Sequence, residues 1–111
     1  MIRELPLSED ALALVQQGLA AAVDHGTGRR AALAGVTVAG KTGTAEYAGP
    51  RDARGNLPTH AWFAAYAPFE QPEIAVVVFV FNGGEGSEVA APIAGDILAS
   101  YFGTVRTYVG D

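Results

Sequence analysis

Lys41, Thr42 and Thr44 are the residues of this 111-residue chain whose types and spacing point most directly to chemistry. They lie in Val38-Ala39-Gly40-Lys41-Thr42-Gly43-Thr44-Ala45. Lys41 is the only lysine; the other basic residues are Arg3, Arg29, Arg30, Arg51, Arg54 and Arg106. An ammonium is a compact, hydrated point charge and a guanidinium a planar fork, so the exception marks a place where a fork does not serve. Gly40 and Gly43 bracket the lysine and let backbone or ligand approach closely. In an extended strand, residues two apart share a face, which sets the hydroxyls of Thr42 and Thr44 side by side. One ammonium and two hydroxyls on an open strand make a receptor for a small anion, most simply a carboxylate. An isolated Lys-Thr-Gly is more often a glycine-rich turn with a solvated lysine, so its surroundings must carry the reading.

Taken literally, Gly35 to Thr42 matches G-x-x-x-x-G-K-[ST], the phosphate-cradling loop of nucleotide hydrolases. That motif needs a small-residue loop inside it and a helix opening at the Lys-Thr. Here the interior is Val36-Thr37-Val38, a β-branched run suited to a strand. The residues after Lys41 include Gly43, Gly49 and Pro50, which oppose a helix. The downstream apolar strand ends at Asn82, without a carboxylate to hold magnesium. A nucleotide-binding module is therefore the weaker alternative, beside a non-catalytic interaction domain.

The elements that must position this strand are legible from periodicity. Ser8 reads as the N-cap of a helix over 8–25, with Glu9 and Asp10 at its positive end. Leu12, Val15, Leu19 and Val23 give that helix one apolar stripe, and Gly26 is placed to supply a left-handed cap. Arg29 and Arg30 follow in a connector and read as solvated. Strands are predicted over 36–45, 60–67 and 74–81. Between the first two, Glu46 to Thr59 has no periodicity; such a loop is either functional, forming one lip of the site, or mobile. His60 opens the second strand and is a candidate for the same groove as Lys41. Ile74 to Phe81 is apolar at every position, the pattern of a mid-sheet strand covered on both faces. A final helix over 89–102 accepts Pro92 in its first turn and is expected to bury Ile93, Ile97, Leu98 and Tyr101. The fold class is α+β: helix, three antiparallel strands, helix, with both helices on one sheet face and nothing in the chain for the other.

Composition narrows the partners. Half of the residues are hydrophobic and 17% charged, against roughly 25% in ordinary soluble domains, as though some surface is normally covered. A net charge of −5 disfavours nucleic acid and anionic membranes. There is no cysteine, and the two histidines, His25 and His60, have no clustered carboxylates at ligand spacing, so no metal or other cofactor is expected. No apolar run spans a bilayer and no signal peptide is seen, so the chain itself is expected to be soluble without a targeting segment.

Val36 to Ala45, His60-Ala61-Trp62-Phe63 with Tyr66-Ala67-Pro68, and Asn82-Gly83-Gly84 leading into Ala90-Ala91-Pro92-Ile93-Ala94 together resemble the transpeptidase domain of class B penicillin-binding proteins. In order and spacing they look most like the C-terminal part of an elongation-type, penicillin-binding protein 2-like enzyme, and the resemblance covers essentially the whole chain. It implies part of the serine β-lactamase-like fold and a D,D-transpeptidase that cross-links peptidoglycan stem peptides ending in D-Ala-D-Ala and binds β-lactams such as penicillin. It also implies a membrane-anchored full-length protein with this domain outside the cytoplasm. By the same resemblance Lys41 tunes the site, Thr42 and Thr44 hold a carboxylate, Gly43 admits the acyl group, and the Thr44 N–H is an oxyanion donor. The family more often has Gln where this chain has Glu46, which sets that polar contact apart.

The family's nucleophile comes from S-x-x-K and a second element from S-x-N. The serines here are Ser8, Ser87 and Ser100, followed at the third position by Ala11, Ala90 and Gly103, and neither motif is present. The chain alone is expected to be inactive. The missing N-terminal part of the domain, or self-association of the fragment, is expected to cover its bare surface.

Overall fold

A computed structural model describes residues 3–108. In order, helix α1 (Glu9–Asp24), strands β1 (Ala39–Glu46), β2 (Thr59–Ala67) and β3 (Ile74–Val80), and helix α2 (Ala91–Phe102) make the framework. A 3₁₀ turn at Arg29–Ala31 precedes β1, and a π-helical turn at Gly86–Ala90 leads into α2. The sheet is antiparallel with order β1-β2-β3, so β1 is an edge and β2 the centre.

Ser8 caps α1, its hydroxyl accepting the Ala11 N–H at 3.1 Å. The helix closes at His25 without a left-handed residue, contrary to the expectation for Gly26. Gly26 is required there by space: a Cβ would lie 2.9 Å from Ala22 Cα. Of the predicted stripe only Val23 is buried; Leu12 and Val15 face outward. The first strand starts at Ala39 rather than 36, because β2 stops at Ala67–Pro68 and offers no ladder beyond the Ala39–Tyr66 pair. Val36 instead bridges to Leu33, and the Thr37 carbonyl takes the Phe69 N–H at 2.8 Å.

Ala61, Phe63, Ala65 and Ala67 of β2 and Val78 of β3 point to the inner face, where they meet Ala90, Ala91, Ala94, Leu98 and Ala99. The largest fully buried side chains are Phe63, Leu98 and Val23. Phe63 fits because Gly40 faces it: a Cβ there would lie 2.6 Å from Phe63 Cζ. Of the α2 residues expected to be buried, Leu98 is, while Ile93, Ile97 and Tyr101 are exposed; the other buried residues of α2 are small and let the helix lie close. Gly95, for example, would place a Cβ 3.0 Å from Ala31 Cα.

Trp62, Ala64 and Tyr66 of β2 and Ala75, Val77 and Phe79 of β3 form the outer face, with Trp62 41%, Val77 65% and Phe79 46% exposed. β3 is thus apolar on both faces but lies at a sheet edge among the described residues, not in the middle as its sequence predicts. Tyr66 buries its hydroxyl there without a hydrogen-bond partner, and burial pushes the phenol pKa up.

The turn at Gly86–Ala90 is held against the sheet by a backbone contact. A Cβ on Gly86 would lie 2.3 Å from the Gly43 carbonyl oxygen and 2.5 Å from that of Trp62. Both obstacles are backbone and cannot move aside, so Gly86→Ala forces the turn off the strands. By contrast Gly18, on the exposed side of α1, has open space around it, with nothing within 4 Å of where a Cβ would stand. Gly86→Ala is expected to destabilise the fold by about 3 kcal/mol or more, and Gly18→Ala to stabilise it by about 0.5–1 kcal/mol. Urea unfolding of the two variants in parallel measures both.

Candidate active-site edge

The sequence-predicted residues all fall on or beside β1, and the register divides them between two faces. Thr42 pairs with Phe63 and Thr44 with Ala61, so their hydroxyls share the inner face. Lys41 pairs with Ala64 and Gly43 with Trp62, which places them on the outer face. This follows from the two-residue period of a strand, and means that Lys41 flanks the free edge of β1 from the side opposite the threonines. Lys41 Nζ donates to the Thr42 carbonyl oxygen. No helix opens at Lys41, which lies inside a strand, so the nucleotide-loop geometry is not formed.

Both hydroxyls are already engaged. Thr42 Oγ1 is 3.0 Å from Thr27 Oγ1, in the loop that follows α1, and either can be the donor. Thr44 Oγ1 accepts the Gly86 N–H at 3.1 Å and donates to Glu85 Oε2 at 3.0 Å. Neither Thr27 nor Glu85 is marked by any motif in the sequence. Each is far from β1 along the chain, in a segment without periodicity or a recognisable spacing.

His60 lies on the outer face, opposite Ala45. Its ring stacks on Tyr47 with centroids 4.0 Å apart and planes 3° from parallel, and Phe79 and Phe81 close the cluster. His60 Nδ1 accepts the Asn82 N–H at 3.0 Å, which leaves the neutral ring's proton on Nε2. The fold brings His60 to the face of Lys41, not to the hydroxyls of Thr42 and Thr44.

Arg29 and Arg30, read as solvated, sit with their guanidinium carbons 5.0 and 5.5 Å from the Tyr108 ring centroid. Arg30 also donates to the Ser87 carbonyl at 3.3 Å and so ties the 3₁₀ turn to the π-helical one.

The loop between β1 and β2 is built around Asp52. Its carboxylate accepts the N–H groups of Arg54 and Asn56, each at 2.9 Å, and Asp52 N–H bonds to the Asn56 carbonyl at 2.9 Å. Those donors, Asn56 first, hold the Asp52 pKa below its ordinary value. Glu46, Asp52, Asn56, Thr59 and Glu85 line a shallow cavity together with Thr44. Among the described residues no group of three or more His, Asp or Glu could hold a metal ion.

Comparison with known proteins identifies the family. The transpeptidase family model, described as the penicillin binding protein transpeptidase domain, matches residues 1–99. The chain belongs to the penicillin-binding protein transpeptidase family. It is 42% identical over 87 residues to the peptidoglycan D,D-transpeptidase PbpA of Mycolicibacterium smegmatis, covering 74% of this chain and 17% of that protein. It is 41% identical over 86 residues to the peptidoglycan D,D-transpeptidase MrdA of Haemophilus influenzae, covering 69% of this chain and 13% of that protein. The chain therefore spans about a sixth or less of the length of these relatives. Among solved structures, PBP2 of Pseudomonas aeruginosa superposes with a TM-score of 0.73 at 32% identity, over 90% of this chain and 22% of that one. An imipenem acyl-enzyme complex of penicillin-binding protein A from M. tuberculosis gives 0.67 at 31% identity, over 89% of this chain and 21% of that one.

Because the Asp52 pKa is lowered in the folded chain, the turn gains stability from the ionised carboxylate. That gain is present above the unfolded value of 3.8 and is lost as pH falls through the folded value beneath it. The amide proton shift of Asn56 is expected to titrate with a midpoint below 3.8, and Asp52→Ala to abolish the titration, both readable by two-dimensional NMR.

Proposed function

We propose that this chain is the carboxylate-binding, K-T-G part of a serine-type peptidoglycan D,D-transpeptidase. The observation that carries the reading is the edge position of β1, with two hydroxyls on one side of the open edge and the only lysine on the other. In the complete enzyme a serine outside this chain attacks the carbonyl between the two D-Ala residues of a stem peptide. The peptide C–N bond breaks and the terminal D-Ala leaves. The amine of a second stem then attacks the ester, forms the cross-link and returns the serine. A β-lactam acylates the same serine.

Each residue here has a distinct part. Thr42 and Thr44 hydroxyls hold the terminal carboxylate of the stem peptide or that of a penicillin. The Thr44 N–H is one oxyanion donor, and the serine's own N–H the other. Lys41 adds positive potential from the outer side of the edge. Gly43 keeps that side open beside Trp62. The bound peptide runs along β1 as an added strand. His60, held by Tyr47 and by the Asn82 N–H, supports the strand end rather than the carboxylate.

The outer face, with Trp62, Val77 and Phe79 exposed and the Tyr66 hydroxyl unpaired, fits a surface that earlier residues of the same domain cover. Without them, the same surface favours self-association. The full-length protein acts on the outer side of the cell membrane, where peptidoglycan lies; no helix among the described residues is long and apolar enough to cross it.

Fluorescent penicillin is expected to label the full-length polypeptide covalently and to leave the 111-residue chain unlabelled. A folded full-length protein that takes no label overturns the proposal and favours a non-catalytic interaction domain. Within the full-length enzyme, Lys41→Arg is expected to slow acylation about tenfold or more, because a fork cannot replace the point charge. Arg-to-Lys changes at 29 and 51 are expected to stay within about twofold, since their partners are a ring face and a backbone carbonyl. Stopped-flow acylation kinetics compare them.

A further inference from the structure

We propose that Glu85 determines how well the enzyme takes ligands that bear a carboxylate, because its own carboxylate holds the Thr44 hydroxyl proton that such ligands need. The inference rests on the reading of Thr42 and Thr44 as the carboxylate receptor.

A hydroxyl has one proton to donate and two lone pairs with which to accept. Thr44 Oγ1 is held in place by the Gly86 N–H at 3.1 Å, which uses one lone pair. Its single proton goes to Glu85 Oε2 at 3.0 Å. For Thr44 to bond a ligand's carboxylate, that proton must swing away from Glu85, while the Gly86 bond stays. Oγ1 is therefore a fixed pivot, and two carboxylates compete for one O–H.

Thr42 is not restricted in this way. Its hydroxyl faces Thr27 Oγ1 at 3.0 Å, and Thr27 can be the donor, which leaves the Thr42 proton for the ligand. The two hydroxyls of the receptor are thus unequal: one open through Thr27, one held by Glu85.

Charge adds to the competition. Glu46 and Asp52 line the same cavity as Glu85 and Thr44, whereas Lys41 lies on the other face of the strand. A ligand carboxylate arriving at Thr44 meets the like charge of these carboxylates, and at short range that interaction is appreciable even near the surface. The Glu85 carboxylate is exposed, so it passes into water when displaced.

The test compares benzylpenicillin with its methyl ester, which lacks the negative charge, in the full-length enzyme. The readout is the ratio of the two second-order acylation rates within each preparation, so loss of folded protein cancels. Glu85→Ala is expected to raise the ratio about three- to tenfold, and Glu85→Gln, which keeps an acceptor without charge, to raise it less. A ratio unchanged or lowered in Glu85→Ala overturns the inference. Thr44→Val distinguishes the receptor from its competitor. If it leaves the ratio unaltered, the carboxylate-receptor reading itself fails. If it collapses the ratio while Glu85→Ala does not raise it, only the role of Glu85 fails.

Discussion

Gly86 resting on the peptide groups of Gly43 and Trp62 is the contact on which the strand edge depends. No side chain fits between the turn and the sheet at that point, so backbone meets backbone. From this seat the Gly86 N–H reaches Thr44 Oγ1 and fixes the position of the hydroxyl. The same seat sets Glu85 over the edge and delivers the chain to α2. Polar links continue the fixation away from the strand. Arg30 donates to the Ser87 carbonyl, Arg106 Nη1 to the Arg30 carbonyl at 3.1 Å, and Arg106 Nε to Asp96 at 2.8 Å. The exposed end of this chain of contacts contributes little energy by itself, as surface ion pairs do. Its effect is to hold the turn to one register against the strand.

A strand period of two divides Lys41 from Thr42 and Thr44 across an edge. Thr42 and Thr44 stand on one side and Lys41 on the other, so in the proposed binding mode a ligand along the free edge of β1 has hydroxyls beneath it and an ammonium above. Under the proposed function, that geometry suits an extended peptide, which presents its own backbone to the edge and its charge to either side. It also explains why a lysine serves here. The flexible stem can curl back over the strand, as its bond to the Thr42 carbonyl shows, whereas a planar guanidinium needs room for two parallel donors.

The order of helices and strands, the capping by Ser8 and the alternation of Thr42 and Thr44 are legible in the sequence because each rests on local periodicity or a local cap. What the sequence misplaces depends on distant partners. Val36 to Val38 read as strand from their β-branching, yet β2 ends at Ala67, before Pro68, and leaves them no ladder. Ile93, Ile97 and Tyr101 read as core from their size, yet α2 buries Leu98 together with only its small residues Ala91, Ala94, Gly95 and Ala99. Proximity in sequence groups Lys41 and His60 with the threonines, while register turns both to the outer face. Thr27 and Glu85 carry no signal at all: a single Thr or Glu outside any motif acquires meaning only when folding brings it 3.0 Å from a hydroxyl of the site.

The distribution of large and small apolar residues is the last piece of this logic. The core between sheet and α2 is mostly alanine, with Phe63 and Leu98 as its bulky members, and among the described residues no polar or charged one is buried. Alanine buries little area, and the transfer gain scales with area at about 25 cal/mol per Å². Trp62, Val77 and Phe79 on the sheet, and Leu12 and Val15 on α1, carry more apolar surface each and leave it exposed. An inner layer of small side chains lets backbone elements approach closely, which is what seating Gly86 on Gly43 requires. The bulky residues stay on the outside. The chain divides its apolar residues by size: the small ones shape the edge where Thr44 and Glu85 meet, and Trp62, Val77 and Phe79 are left on the outer face.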